Sequence, residues 1–276
     1  MKKLFLFMGA FAIATSVSLA QNTSTTSQTG TDNSVTVSQI GEDNKSTIKQ
    51  NGSMNLGNVQ QGGFGEGNIQ SNNATAFIDQ VGSKNNGTIS QRQGLPSGTE
   101  LSYHRIEQNG RENFANLRSF DGGNSGYVDQ DGIKNDARGN QDNSGHYLKI
   151  GQTGNFNIAE VDQLGGADNS SYIIQKGNEN RAKTWQRGEM NFGRVEQDGI
   201  GNLATQVTQD GTFNNLNILQ DGNSNTSILN QLGDNHKGTV DILGDGNTTI
   251  LNQSGMGNIS TQNIMGNGNV SLITQN

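Results

Sequence analysis

The chain has 276 residues, of which only 29% are apolar, with 39 glycines, one proline, no cysteine and a formal net charge of −7. Globular domains draw close to half their residues from the apolar set, so this composition excludes a thick oily core, and the lack of cysteine excludes a disulfide scaffold. The acidic balance argues against nucleic acid as a partner, because binding it needs a basic footprint.

In chain order, the first 20 residues stand apart. Lys2 and Lys3 precede an apolar run from Leu4 through Ile13, and small residues follow, ending at Ser18, Leu19 and Ala20. That succession predicts a Sec signal peptide over 1–20, cleaved after Ala20, too short and wrongly flanked for a membrane span. Its removal takes away two lysines and moves the net charge to −9.

From residue 28 onward one hexapeptide recurs. Intact Gln-x-Gly-x-x-Asn begins at Gln28, Gln39, Gln50, Gln80, Gln108, Gln130, Gln152, Gln175, Gln186, Gln197, Gln209, Gln220 and Gln253, and with the weaker copies that follow nearly all spacings are 11 residues. Weaker copies at Gln61, Gln91, Ser119, Gln141, Gln163, Gln231, Ile242, Ile264 and Gln275 fill the gaps. Two residues before Gln almost always stands a branched apolar residue, from Val37 and Ile48 to Leu251 and Ile273. Four before it the side chain is usually small, as at Ala76, Ala159, Ser171 and Ala182. Six before it stands the Asn of the preceding motif, as at Asn44, Asn157, Asn180, Asn214 and Asn225. Steps of two pick out one face of a β-strand. Each 11-residue unit is therefore a strand of about seven residues, running from Asn to Gln, followed by a turn. The turn glycines are Gly41, Gly52, Gly82, Gly110, Gly132, Gly154, Gly177, Gly188, Gly199, Gly211, Gly222 and Gly255, placed where glycine takes positive φ at little cost.

Two such strand-turn arms make a 22-residue coil. The fold class that follows is all-β: a two-sheeted parallel β-solenoid of about 11 coils. At about 4.8 Å between coils, Gln lies over Gln and Asn over Asn. An amide carries both donors and an acceptor, so such a column can satisfy itself and a thin layer of Ile and Val suffices between the sheets. Neither end of the repeat shows an atypical capping unit, so both ends should present open strand edges.

The period is irregular at 61–80, where one unit spans 19 residues, and near 92–107, where six extra residues include Pro96. Insertions of this kind belong in turns, where they leave the sheets undisturbed. Single extra residues follow Gly165 and fall within 203–209. Asp198 and Asp221 each follow a motif Gln in units two apart, so they should stack one coil from each other.

This motif, paired into 22-residue coils behind a Sec signal, resembles the curlin repeats of bacterial curli subunits, and the resemblance covers 28–276. It implies an exported β-solenoid that passes through a dedicated outer-membrane pore. It further implies end-to-end self-polymerisation into cell-surface amyloid fibres of the biofilm matrix, with a second curlin-like nucleator or subunit as partner. By the same analogy 21–27 are a flexible leader for the pore. The chain carries about twice the repeats of better-known members, so bulk subunit, nucleator and minor component all stay open. A rival reading is a monomeric solenoid adhesin that presents a polar face to a surface or glycan.

Catalysis and cofactors find no support in the sequence: P-loop, nucleophile elbow and paired catalytic carboxylates are all missing. His146 and His236 fall in the Asn slot and are read as substitutions in that column, while His104 lies beside the Pro96 loop. No metal site is expected from them. Tyr103, Trp185, Phe156 and Phe213 look scattered, with the two Phe in turns.

Overall fold

The structure is a computed structural model and describes residues 13–15, 21–63, 71–92 and 101–276. Among these residues there are 23 strands, joined into a 12-stranded sheet of odd-numbered strands and an 11-stranded sheet of even-numbered ones. Every pairing is parallel and links a strand to the next but one in sequence, as β10 (Ser125–Ile133) is flanked by β8 (Tyr103–Arg111) and β12 (Tyr147–Asn155). The result is the two-sheeted parallel β-solenoid, with one coil for each strand pair.

Alternation of inward and outward residues explains the architecture. Along β10 the buried positions are Gly126, Val128 and Gln130, and their neighbours face outward. The branched residues two before Gln, from Val37 to Leu251, form one continuous buried cluster, with Ile273 packed against it and partly buried. Volume is conserved along this layer. Where the branched slot holds Gly139, Leu148 fills the space, and an added Cβ on that glycine would lie 2.7 Å from the Leu148 Cδ2. Leu216 fills the space beside Gly238 in the same way. Where the slot holds Thr184, its hydroxyl bonds to Ser171 across the core at 2.7 Å.

The long insertions leave the register of the described strands intact. Gln50 pairs with Gln80 and Gln80 with Gln108, separations of 30 and 28 residues, yet both are ordinary rungs of the ladder. Residues 64–70 and 93–100, with Pro96, lie outside the described residues. The extra residue in 203–209 is a bulge in β17 (Leu203–Asp210), where the register shifts between Thr205 and Val207. That near Gly165 lies in a turn, with Gly165 and Gly166 at φ 72° and 68°.

The N-terminal boundary differs from the expectation. Residues 21–27 are not a flexible leader here: β2 (Thr23–Thr31) pairs over its whole length with β4 (Lys45–Ser53). Its threonines are β-branched and suit a strand. Asn22, six before Gln28, already fills the Asn slot, donating from Nδ2 to the Gly41 carbonyl and accepting the Asn44 N–H. Most of the expected signal peptide, including Ala20, lies outside the described residues; its Ile13–Thr15 form β1, a short strand beside β3 (Ser34–Gln39). At the other end β22 (Ile259–Met265) and β23 (Val270–Gln275) are each paired on one side only, as is β2.

Candidate functional site: the stacked amide columns

Each motif Gln faces inward toward the C-terminal end of its strand, one residue from the end of β11 (Asp136–Asp142) and three from the end of β10, and the period of two delivers it there. Two columns result. On the even-numbered strands Gln28, Gln50, Gln80, Gln108, Gln130, Gln152, Gln175, Gln197 and Gln220 form an unbroken series of Nε2–H···Oε1 bonds of 2.7–2.9 Å. Every Gln donates toward the C-terminal end of the stack. From Gln50 onward each also donates to a carbonyl of the opposite sheet, as Gln130 does to the Phe114 carbonyl at 2.9 Å. One side chain therefore ties coil to coil and sheet to sheet. Aligned amide bonds also polarise one another, so the column is worth more than its links taken singly.

The odd-numbered strands carry the second column, through Gln39, Gln61 and Gln91, then Gln141, Gln163, Gln186, Gln209, Gln231, Gln253 and Gln275. Its gap falls at Ser119, on β9 (Phe114–Phe120), which stands between Gln91 and Gln141 in the register. A histidine from the other sheet closes it. His104, on β8, is fully buried, accepts from Gln91 at Nδ1 (2.8 Å) and lies 3.1 Å from the Gln141 Oε1 through Nε2. Those partners require a neutral ring with its proton on Nε2. Burial drives the His104 pKa down to about 4, only partly opposed by the Gln141 bond, so the ring stays neutral. Sequence placed His104 beside a loop; the signal for its role was the missing Gln at Ser119, but linking the two requires the pairing of both sheets.

The Asn columns work differently from the Gln columns. Asn is one methylene shorter, so its amide engages mainly the backbone of the next turn. Asn157 accepts the Asn180 N–H at Oδ1 (3.1 Å) and donates from Nδ2 to the Gly177 carbonyl (2.9 Å). Asn180, Asn214 and Asn225 donate likewise to Gly199, Gly233 and Gly244. Asn44 donates to the Ser71 carbonyl, because the enlarged turn brings no glycine there. Direct Asn-to-Asn amide bonds occur at fewer places, such as Asn247 to Asn225 at 3.1 Å.

At His146 and His236 the imidazole copies the Asn pattern. Nδ1 accepts a backbone N–H from Asn169 or Asn258, and Nε2 faces the carbonyl of Asp142 or Leu232. Desolvation lowers the His146 pKa, ahead of the opposing pull of the Asp142 carbonyl.

The turn glycines complete the stitch. All twelve named above lie at φ between 91° and 134°, in backbone that L side chains rarely adopt. At Gly132 the reason is also steric: an added Cβ would lie 1.8 Å from the carbonyl oxygen of Gly154, one coil on. A second left-handed position lies just before the Asn slot and was missed in the sequence. It holds Lys134, Phe156, Glu179, Met190 and Phe213 at φ 54–59°. Its signal was present, since Gly123, Gly201, Gly246 and Gly268 occupy the same place.

The family model for the curlin associated repeat matches residues 30–63. Residues 30–63 carry the curlin associated repeat. The matched stretch holds Gln39, Gln50 and Gln61 with Asn33, Asn44 and Asn55, and their bonds are those found along the rest of the stack. The same bonding geometry extends from Asn22 to Gln275. No curated protein matches the chain.

Proposed function

We propose that this curlin-repeat chain is a secreted subunit that polymerises end to end into curli-like amyloid fibres of an extracellular matrix. The observation that carries the reading is the directed Gln column meeting open strand edges. Among the described residues nothing donates to the Oε1 of Gln28 or Gln39, while Gln275 at the other end has an Nε2–H beyond the one it gives to the Ile259 carbonyl. Once 1–20 is removed, and with it the β1 that covers β3, one copy's Gln275 complements the next copy's Gln39. Unpaired edges of this length favour strand addition. The even-numbered column ends earlier, because Ile242 and Ile264 stand in the Gln slot and Gln220 turns to the Ser227 hydroxyl. The junction is then amide-bonded at one corner and apolar at the other. Export through an outer-membrane pore and a second curlin-like nucleator complete the proposal.

Incubation of the purified chain lacking 1–20 with thioflavin T tests it. Growth seeded by its own sonicated fibres, with fibre reflections near 4.8 Å and about 10 Å, is the expected result. A stable monomer that ignores seeds would overturn it in favour of the adhesin.

A further inference from the structure

The chain has four tyrosines, and all four stand on the outward face of the even-numbered sheet, on consecutive coils. The expectation that Tyr103 is one of several scattered aromatics is thereby corrected. Tyr103 lies opposite Ser125 and Tyr127 opposite Arg105 in the register, so the rings climb in a zigzag between two adjacent outward rows. Ring centroids are 5.5 Å apart for Tyr103 and Tyr127, 5.6 Å for Tyr127 and Tyr147, and 5.2 Å for Tyr147 and Tyr172. Phe192 ends the staircase 5.6 Å from Tyr172. Planes are tilted by 34–42°, so the rings meet obliquely. All five are half-buried.

Packing alone does not account for phenols here. Phe192 shows that a ring without a hydroxyl fits, and aromatic pairing contributes about 0.5–1.5 kcal/mol with or without the oxygen. Tyr147 and Tyr172 are hydrogen-bonded to each other; beyond that contact, four adjacent half-exposed phenols add redox chemistry.

We propose that the tyrosine staircase is a site of oxidative cross-linking, in which hydrogen peroxide acting through a haem peroxidase joins tyrosines of neighbouring coils as dityrosine. Each of two phenols gives up one electron and one proton. The phenoxyl radicals couple through ring carbons ortho to oxygen, and the displaced ring hydrogens restore the hydroxyls. The two electrons and two protons released reduce one peroxide to two waters. With one coupling per ring the staircase holds two links, Tyr103 to Tyr127 and Tyr147 to Tyr172. Both lie within one chain and staple successive coils. The proposal is independent of polymerisation, since the ladder is complete in a single molecule.

Two double variants with equal numbers of tyrosine test it. Tyr103→Phe/Tyr172→Phe keeps the adjacent pair Tyr127 and Tyr147. Tyr127→Phe/Tyr147→Phe keeps Tyr103 and Tyr172, three coils and about 14 Å apart. Folded chain is treated with peroxidase and peroxide, then denatured and assayed for dityrosine fluorescence, gel migration and linked tryptic peptides. The parent should give intrachain links between neighbouring coils. The first variant should retain about half of the fluorescence, and the second should fall at least tenfold below the parent. Circular dichroism of both variants confirms the fold before treatment. Equal yields from the two variants, or links found mainly between chains, would overturn the proposal.

Discussion

At the residue scale, His104 shows how the solenoid tolerates the loss of a motif residue. Ser119 cannot reach either neighbour, so Gln91 and Gln141 depend on an imidazole from the other sheet. His104→Ala should destabilise the folded chain by about 2–4 kcal/mol, because two buried amides lose partners and a cavity opens. Adding Ser119→Gln should recover part of that loss, and urea unfolding of all four members of the cycle reads the coupling directly. The same ring sets a pH dependence. Its folded pKa is about 4 against 6.5 when free, so between those values the unfolded chain binds the proton and the folded chain does not. Stability therefore rises with pH from about 4 to 6.5 and levels off above. The full gap is worth on the order of 3 kcal/mol. His146 contributes in the same direction. In His104→Gln the slope across this window should shrink, as measured by urea midpoints at several pH values.

At the element scale, the strand-turn arm was legible because each of its signals is local. Burial at every second residue, Gln at the corner and Gly in the turn all recur within 11 residues. What stayed hidden depends on which strand lies beside which. The leader was misread because exposed Ser and Thr carry little hydrophobic signal, although Asn22 already stood in its slot. The tyrosine staircase was missed because its members are 20 to 25 residues apart in sequence and become neighbours only after the coils stack. The left-handed position before the Asn slot bears on stability. Met190 and Phe213 hold φ near 55°, at a cost of about 1–2 kcal/mol each in an L-residue. Met190→Gly should therefore raise stability by about 0.5–1 kcal/mol once the larger backbone entropy of glycine is set against the relief. Gly132→Ala should act oppositely: its Cβ would clash with the Gly154 carbonyl. The expected loss exceeds about 2 kcal/mol, and hydrogen exchange should quicken in the flanking coils first.

At the scale of the whole molecule, a structure whose ends invite addition needs something that slows it. Asp198 and Asp221 are register partners on adjacent coils, both exposed, with Lys176 one coil before Asp198. Two carboxylates about 5 Å apart in water repel by about 1 kcal/mol, and the repulsion must be met each time this edge forms. An unfolded chain keeps the two apart and avoids it, so the cost weighs on the step that orders the coil. Gatekeeping charges next to aggregation-prone strands act in this way. Asp198→Asn/Asp221→Asn should shorten the lag of thioflavin T kinetics and leave the final fibre yield unchanged. Salt provides an internal control. At 1 M ionic strength the screening length is about 3 Å, so the parent lag should shorten toward that of the variant. An unchanged lag in the variant at low salt would remove these two aspartates from any account of how assembly is delayed.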